Sequence, residues 1–443
     1  MKGREPDLER REQLRREISR FGLAALAING LIGAGIFALP AAVIQQAGAF
    51  SPAVFAICGV LMLTVVLSFA QAASYFRGTG GPVLYAKTAF GSFVGFQTGW
   101  LLYIGRVTAL AANSNALVNY GGLLWDGLAE GFGRALGIVV CFVFFTTVNT
   151  VGVRRGMAAT NFLTILKLLP LLLFIAVGIS YIKPQEIVGA APLPVGTLAG
   201  TLLLVVYAFV GFEGAVVPAG ESKSPRLDIP RALLLTLGFT GVLYIIIQAI
   251  CVAVLPEGTA TQTPVADVAR LMVGAPGAWI MTLAAFLSIA GNISSIMVTA
   301  PRMTYAMARD KTLPIWFAKV HQSHQTPTTS IIFLGVVGLA LALTGTFVWL
   351  AIMSSLARLI GYGVCVAALP KLKKKFAAGA TAFNLPGGLL IPAIALLLCV
   401  WLAAQADARS WGMTAAFMVA GTVLYLATRK IPVSKNMDAP CKD

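Results

Sequence analysis

The most constraining feature of this chain is a series of long apolar runs that fills nearly its whole length. Of its 443 residues 58% are hydrophobic and 11% are charged, against about 25% charged in a typical soluble protein. Because about 17–25 apolar residues cross a bilayer as a helix, the runs predict an all-α polytopic membrane protein forming one compact helical domain. They divide into twelve predicted helices, near residues 22–46, 51–76, 90–118, 135–153, 159–182, 197–220, 231–255, 277–306, 329–345, 346–369, 389–404 and 411–428.

The first run is interrupted where a membrane helix should be continuous. Gly30, Gly33 and Gly35 fall close together, and each glycine costs roughly 1 kcal/mol relative to alanine in a helix interior. The backbone is therefore expected to open over 29–35 and to resume as a helix near Ile36. Opened backbone at membrane depth is tolerated only where protein or a water-lined cavity satisfies it. The interruption therefore indicates a ligand site of the kind that transporters build.

The sixth run carries a matching interruption, with Gly211, Glu213 and Gly214 in mid-membrane and Pro218 following. Breaks five helices apart are what two inverted repeats of five helices produce, although glycines can also serve close helix packing. The predicted organisation is a cytosolic tail over 1–20, a transport core over 21–369 with repeats at about 21–182 and 197–369, accessory helices eleven and twelve over 370–428, and a cytosolic tail over 429–443.

The distribution of the residues that give the net charge of +16 indicates the membrane topology. Lysine and arginine concentrate in the N-terminal tail, the C-terminus and the loops after even-numbered helices, whereas the opposite loops hold only Arg134, Lys183, Arg270 and Arg409. This positive-inside bias predicts a multi-pass protein of the inner (plasma) membrane with both termini cytoplasmic, in contact with anionic lipid. Nucleic acid is not expected as a partner, because no stacking aromatics accompany the basic loops.

Cysteine and histidine usage predicts neither disulfides nor a metal site. Five of the six cysteines lie inside apolar runs as small hydrophobes, and the two histidines, His321 and His324, share one loop. No cluster of histidine, cysteine and acidic residues points to an enzyme. No nucleotide-binding fingerprint is present, so we expect no cofactor and an energy source in ion or solute gradients.

Three motifs together resemble the amino acid-polyamine-organocation superfamily, over helices one to ten in order. They are Ile32-Gly33-Ala34-Gly35-Ile36-Phe37 in helix one; Phe209-Val210-Gly211-Phe212-Glu213 in helix six, continuing to Glu221-Ser222-Lys223-Ser224-Pro225 and Ile229-Pro230-Arg231-Ala232; and Ala308-Arg309-Asp310 with Leu313-Pro314 and Thr326-Pro327 after helix eight. The resemblance implies the broken-helix fold shared with sodium-coupled neurotransmitter transporters. It also implies a substrate with an α-amino acid group or a related amine.

The residues around the two breaks are suited to read a zwitterion through the main chain. Unpaired N–H groups at Gly33, Ala34 and Gly35, next to Ile32, lie at the positive end of a restarted helix and suit a carboxylate. Opened carbonyls near Phe209 and Val210, with Gly211 beside them, suit an ammonium. By local alignment Tyr207 falls at a gate aromatic of helix six.

Two charged residues inside the apolar runs are candidates for coupling and gating. Each costs roughly 2.5–3.5 kcal/mol at mid-helix on insertion scales and so needs a reason. Lys167 matches a helix-five lysine that resembles a stand-in for sodium in some proton-coupled or sodium-independent relatives, with a snorkelling anchor as the alternative. Glu213 is either a proton relay or gate beside the helix-six break, or a structural carboxylate paired with Arg106 or Lys167.

Other polar positions are candidates for side-chain readout. Arg106 in helix three reads an anionic side chain or braces the scaffold, and Arg358 in helix ten braces or gates. Asn113, with Ser114 and Asn115 beside it, and Ser294 and Ser295 in helix eight offer polar contacts. The helix-eight face near Ile296 lacks the tryptophan of a cation-stacking relative, which argues against an arginine-type substrate and favours a small or mid-sized neutral amino acid.

The sequence thus predicts a secondary active amino acid transporter with alternating access, working by proton-coupled symport or by exchange. A polyamine or other amine permease of the same fold, a channel, an integral membrane enzyme and a non-transporting amino acid sensor are the alternatives. The short tails leave little room for a sensor's output domain.

Overall fold

The structure is a computed structural model that describes residues 20–76, 81–151, 157–216, 225–256, 258–321, 323–376 and 388–429. Every regular element within these ranges is helical. The α-helices are α1 (Arg20–Leu31), α2 (Gly35–Ala47), α3 (Ser51–Ser74), α4 (Gly81–Phe90), α5 (Ser92–Gly122), α6 (Gly131–Val151), α7 (Met157–Gly178), α8 (Pro184–Val188), α9 (Val195–Phe209), α10 (Pro225–Val254), α11 (Pro264–Val273), α12 (Ala275–Arg309), α13 (Thr328–Thr344), α14 (Phe347–Lys375), α15 (Leu390–Ala403) and α16 (Ala408–Arg429).

Each of the twelve predicted runs contains a helix or an interrupted helix. Helix one is α1 followed by α2, and helix six is α9 followed by a 3-10 turn over Phe212–Ala215. The predicted boundary at residue 369 is wrong, because helix ten continues as α14 to Lys375 and its last turn holds Lys373, Lys374 and Lys375. Cations in that position interact favourably with the helix dipole.

Three short helices, α4, α8 and α11, were not predicted and lie between the long runs. Residues 1–19 and 430–443, which make up nearly all of the tails predicted over 1–20 and 429–443, lie outside the described residues. So do residues 217–224, including the motif Glu221-Ser222-Lys223-Ser224.

Seven helical segments of the described chain are long and apolar enough to cross a membrane: Gly35–Ser74, Gly131–Val151, Val195–Ala215, Asp228–Val254, Ala275–Arg309, Phe347–Lys375 and Ala408–Thr428. Three shorter apolar helices span Lys167–Tyr181, Thr328–Thr344 and Leu390–Ala403. The number of crossings, twelve, stays a prediction.

The breaks lie inside the helical core. α1 packs against α7 and α10, α2 packs against α9, and α5 packs against α12 and α14. Buried rings surround the opened backbone of helix six: Phe209 lies with its ring centre 5.6 Å from that of Tyr244, and Phe212 lies 5.2 Å from Tyr362. By contrast, α6 and α7 expose valine, leucine and phenylalanine side chains outward, including Val143, Phe144, Leu169, Leu172 and Leu173. Such faces suit lipid.

Candidate functional site

The first break lies between α1, which ends at Leu31, and α2, which begins at Gly35. Gly33 N–H donates to the carbonyl of Leu31 at 3.0 Å, so the expectation that this N–H is unpaired is wrong. Ala34, Gly35 and Ile36 have no backbone acceptor within the described chain, whereas the next two N–H groups of α2 both donate to the Ala34 carbonyl. The first turn of a helix leaves such donors free. The free N–H groups therefore start one residue later than the sequence indicated.

The second break follows Phe209, the last residue of α9. Val210 is extended (φ −92°, ψ 158°) and Gly211 takes a positive φ of 112°. Gly211 N–H donates to the Glu213 carboxylate at 2.9 Å and not to a helix carbonyl. The carbonyls of Tyr207 and Val210 consequently receive no donor within the described chain. These are free acceptors at the negative end of a helix dipole.

The two breaks touch each other, which explains two of the glycines. A Cβ added to Gly30 would lie 2.7 Å from the Gly211 carbonyl oxygen, and one added to Gly211 would lie 2.4 Å from the Gly30 carbonyl oxygen. Gly35 is similarly close to α9, because its added Cβ would lie 3.1 Å from the Cα of Ala208. Glycine at these positions therefore serves close backbone packing as well as any ligand approach.

Gly211→Ala is expected to lower the yield of folded protein and to impair uptake. Alanine at a φ of 112° carries strain of about 1–3 kcal/mol, and its Cβ meets backbone that cannot rotate away. The matched control is Gly200→Ala in the same helix, where the added Cβ meets nothing within 4 Å. Size-exclusion chromatography after graded heating compares the two. Equal stability of the two variants would contradict the packing of the breaks.

A small cavity of about 50 Å³ lies where the breaks meet. At roughly 10–15 Å³ per water it holds a few water molecules, so an amino acid enters only when the walls move apart. Helix one, helix three, helix six, α12 and α14 all contribute to it. Its lining residues are Gly30, Leu31, Gly33, Ala34, Gly35, Arg106, Ala109, Asn113, Tyr207, Val210, Gly211, Asn292, Ser295, Ile296 and Arg358.

Most of the predicted site residues thus share this cavity, and five do not line it. The exceptions are Ile32, Lys167, Phe209, Glu213 and Ser294. The Phe209 side chain is fully buried against Phe55 and Tyr244. The sequence placed the backbone carbonyl near Phe209, and not its side chain, in the substrate site, and that placement stays a prediction.

A chain of hydrogen bonds joins the polar wall of the cavity. The Tyr207 hydroxyl donates to Asn113 Oδ1 at 3.0 Å, and Asn113 Nδ2 donates to Asn292 Oδ1 at 2.8 Å. Asn292 Nδ2 then donates to the Asn29 carbonyl at 3.0 Å, in the last turn of α1. This chain links α9, α5, α12 and α1 through groups that face the ligand space. Asn292 and Asn29 were not predicted, and their one sequence signal is an asparagine inside an apolar run.

Lys167 lies behind the first break. Its Nζ donates to the Ile32 carbonyl at 3.0 Å and to Asn29 Oδ1, and its side chain is 2% exposed. Through Asn29 the lysine is also connected to Asn292 of α12. A cation there stabilises the Ile32 carbonyl, which follows the end of α1 and has no helical donor, and the side-chain oxygen of Asn29.

Glu213 is held by four groups, from helices α5 and α14 and from the break itself. Its Oε1 lies 3.2 Å from Nε of Arg358 and 3.8 Å from Nη2 of Arg106. Its Oε2 accepts from the Tyr362 hydroxyl at 2.7 Å and from Gly211 N–H. Of the partners considered from the sequence, Arg106 is near and Lys167 is not a contact. The shortest pairing, with Arg358, was not predicted.

Two other features of the structure give no candidate binding site for a metal or a charged ligand. No group of three or more histidine, cysteine and acidic residues that could hold a metal occurs in the described ranges. A larger cavity, between α5, α13 and α16, has an almost entirely apolar lining that includes Trp100, Phe333 and Phe417. It offers nothing to bind a charged ligand and opens between helices that face lipid.

Comparison with known proteins places the chain in a family. A family model described as amino acid permease matches residues 18–428. The branched-chain amino acid permease BcaP of Bacillus subtilis is 29% identical, over 95% of this chain and 94% of its own. The methylthioribose transporter of the same organism is 26% identical over 95% of each chain, and its serine/threonine exchanger SteT is 26% identical over 94% and 98%. The chain therefore belongs to the amino acid permease family of the amino acid-polyamine-organocation superfamily.

Proposed function

We propose that this protein is a secondary active transporter of amino acids across the plasma membrane. The observation that carries the proposal is that free backbone N–H groups of helix one and free backbone carbonyls of helix six meet at one cavity. The free N–H groups at Ala34, Gly35 and Ile36 suit the α-carboxylate, and the free carbonyls of Tyr207 and Val210 suit the α-ammonium. A bound zwitterion would satisfy both sets of backbone groups at once.

The proposed architecture is twelve membrane helices, of which the first ten form two inverted repeats over about 21–182 and 197–375. Helices eleven and twelve, which are α15 and α16, are accessory. The paired breaks in helices one and six support this arrangement, because each repeat then opens at its first helix. Alternating access would swing the cavity walls apart on one side of the membrane at a time, with both termini on the cytoplasmic side.

Coupling is proposed to involve protons or a second amino acid and not sodium. The Lys167 ammonium contacts two oxygen atoms at the first break, Asn29 Oδ1 and the Ile32 carbonyl. Oxygen atoms of this kind coordinate sodium at broken helices. Lys167 and Glu213 therefore stay candidates for coupling and gating, with Ser294 and Ser295 on the facing helix.

A polyamine substrate is the less favoured alternative. The cavity lining includes the guanidinium-bearing residues Arg106 and Arg358 and no acidic residue. A polycation would meet like charges there at close range, which costs several kcal/mol in a low-dielectric site.

Uptake by purified protein in proteoliposomes tests the proposal. Each amino acid, methylthioribose and putrescine are supplied with and without a pH gradient, with sodium replaced by choline, and with amino acid inside the vesicles to detect exchange. We expect uptake of at least one amino acid above protein-free vesicles, without sodium. Absence of both uptake and binding across the amino acid panel would refute an amino acid substrate.

A further inference from the structure

The cavity wall carries more positive than negative charge. Arg106 and Arg358 both line the cavity, and Glu213 is the one carboxylate within ion-pairing distance of either in the described chain. With both guanidiniums charged, the cluster holds one unbalanced positive charge. An unbalanced charge at membrane depth is expensive, and proteins retain one mainly where it meets a substrate or an ion.

The unbalanced charge belongs to Arg106. Arg358 is the more fully engaged of the two, because its Nε pairs with Glu213 at 3.2 Å and its Nη1 donates to the Gly105 carbonyl at 2.7 Å and to the Ser354 hydroxyl. Arg106 makes one hydrogen bond, from Nη1 to the Thr299 hydroxyl at 3.1 Å, and its contact with Glu213 is longer at 3.8 Å. Its Nε is buried and has no hydrogen-bond partner.

A guanidinium on a cavity wall that makes few hydrogen bonds is suited to bind a carboxylate. Its donors form a planar fork that fits the two oxygen atoms of a carboxylate. The buried Nε would otherwise bear the full desolvation cost of an unsatisfied donor. Under the proposed function, the α-carboxylate of the zwitterion binds at the free N–H groups at the start of α2. A second carboxylate on the same substrate is therefore the group that Arg106 can bind.

We infer that the substrate is an acidic amino acid, aspartate or glutamate, whose side-chain carboxylate binds Arg106. This inference rests on the proposed transport of amino acids and names the substrate class for the same cavity. It replaces the small neutral amino acid that the sequence favoured.

Binding to the purified full-length protein tests the inference by comparing each acid with its own amide. Glutamate and glutamine have nearly the same size and shape, as do aspartate and asparagine, so the comparison isolates the charge. We expect one acid to bind at least about tenfold more tightly than its amide, a difference of about 1.4 kcal/mol. Equal or tighter binding of both amides overturns the inference while leaving amino acid transport intact. Binding of no amino acid at all overturns the proposed function itself.

Variants of Arg106 locate the effect. Arg106→Gln should bring the acid and its amide to within about threefold of each other, and Arg106→Lys should keep part of the preference because the charge stays while the fork is lost. The control is Arg302→Gln in α12, whose guanidinium donates to the Val298 carbonyl of its own helix and does not line the cavity. This control should keep the wild-type preference. An unchanged preference in Arg106→Gln overturns the assignment even if wild-type protein prefers acids. If Arg106→Gln fails to fold, the comparison of each acid with its amide in the wild-type protein and in Arg106→Lys still tests the inference.

Discussion

Lys167→Ala is expected to abolish amino acid uptake without preventing insertion into the membrane. The ammonium supplies hydrogen bonds to the Ile32 carbonyl and to Asn29 Oδ1 at the place where α1 ends. Alanine leaves both oxygen atoms unsatisfied, at about 1–3 kcal/mol each in a buried site. The end of α1 would then lose its link to α7, and the break could no longer be held in the shape that binds substrate. Uptake into proteoliposomes, normalised to the amount of folded protein, measures the loss.

The proposed role of Lys167 in place of sodium can also be tested on the wild-type protein. If the lysine holds the place of a sodium ion, wild-type uptake should be unchanged when sodium is replaced by choline. The control variant is Lys319→Ala, which removes an exposed lysine from the loop after α12 and should transport normally. Strict sodium dependence of the wild type would end the stand-in hypothesis, and near-normal uptake by Lys167→Ala would remove the lysine from the mechanism.

The sequence located both breaks because backbone chemistry is local. Three glycines near Gly33, and Gly211 beside Glu213, lower helix propensity wherever the chain folds. The extent of the first break was overestimated, since α1 continues to Leu31 and includes Gly30. Helix propensity could not give the reason for Gly30, which is its backbone contact with Gly211. That contact joins residues far apart in the chain.

The partners of the charged residues were less predictable for the same reason. Arg358 is 145 residues from Glu213, and only the packing of α14 against α5 and α9 brings it close. No periodicity encodes such a contact. The hydrogen-bonded chain through Asn113 and Asn292 was only partly predictable from the sequence. Each asparagine stands out within an apolar run, but which helices face each other depends on how the core assembles.

The short helices were missed because they are too short and too polar to register as apolar runs. α11 does carry local signals, with Pro264 as its first residue and Gly274 directly after its end. Proline at a helix start and glycine at its end are favoured positions. A search for these signals between the long runs would have found it.

Glu213→Gln is expected to destabilise the protein strongly, by about 3–5 kcal/mol, the usual cost of breaking a buried ion pair from one side. The side chain is 1% exposed, and glutamine would keep its shape while leaving Arg358 and Arg106 without a counter-charge. The amide nitrogen would face donors in either orientation, namely Arg358 Nε at the place of Oε1, or the Tyr362 hydroxyl and Gly211 N–H at the place of Oε2. Heating in detergent, followed by size-exclusion chromatography, compares it with wild type.

Asp310→Asn is the matched control, because it removes the carboxylate of a surface pair with Lys87 at 3.9 Å whose side chains are 64% and 40% exposed. Exposed pairs contribute about 0–1 kcal/mol, so this variant should melt close to wild type. The comparison also separates the two roles left open for Glu213. A carboxylate that only carries protons could be lost without a large change in stability, and glutamine would then flatten the pH dependence of uptake. The other outcome is a large loss of stability while the folded protein that remains keeps its pH dependence of uptake. That outcome would assign Glu213 to holding Arg358 against the helix-six break. The unbalanced positive charge that meets the substrate would then be the guanidinium of Arg106.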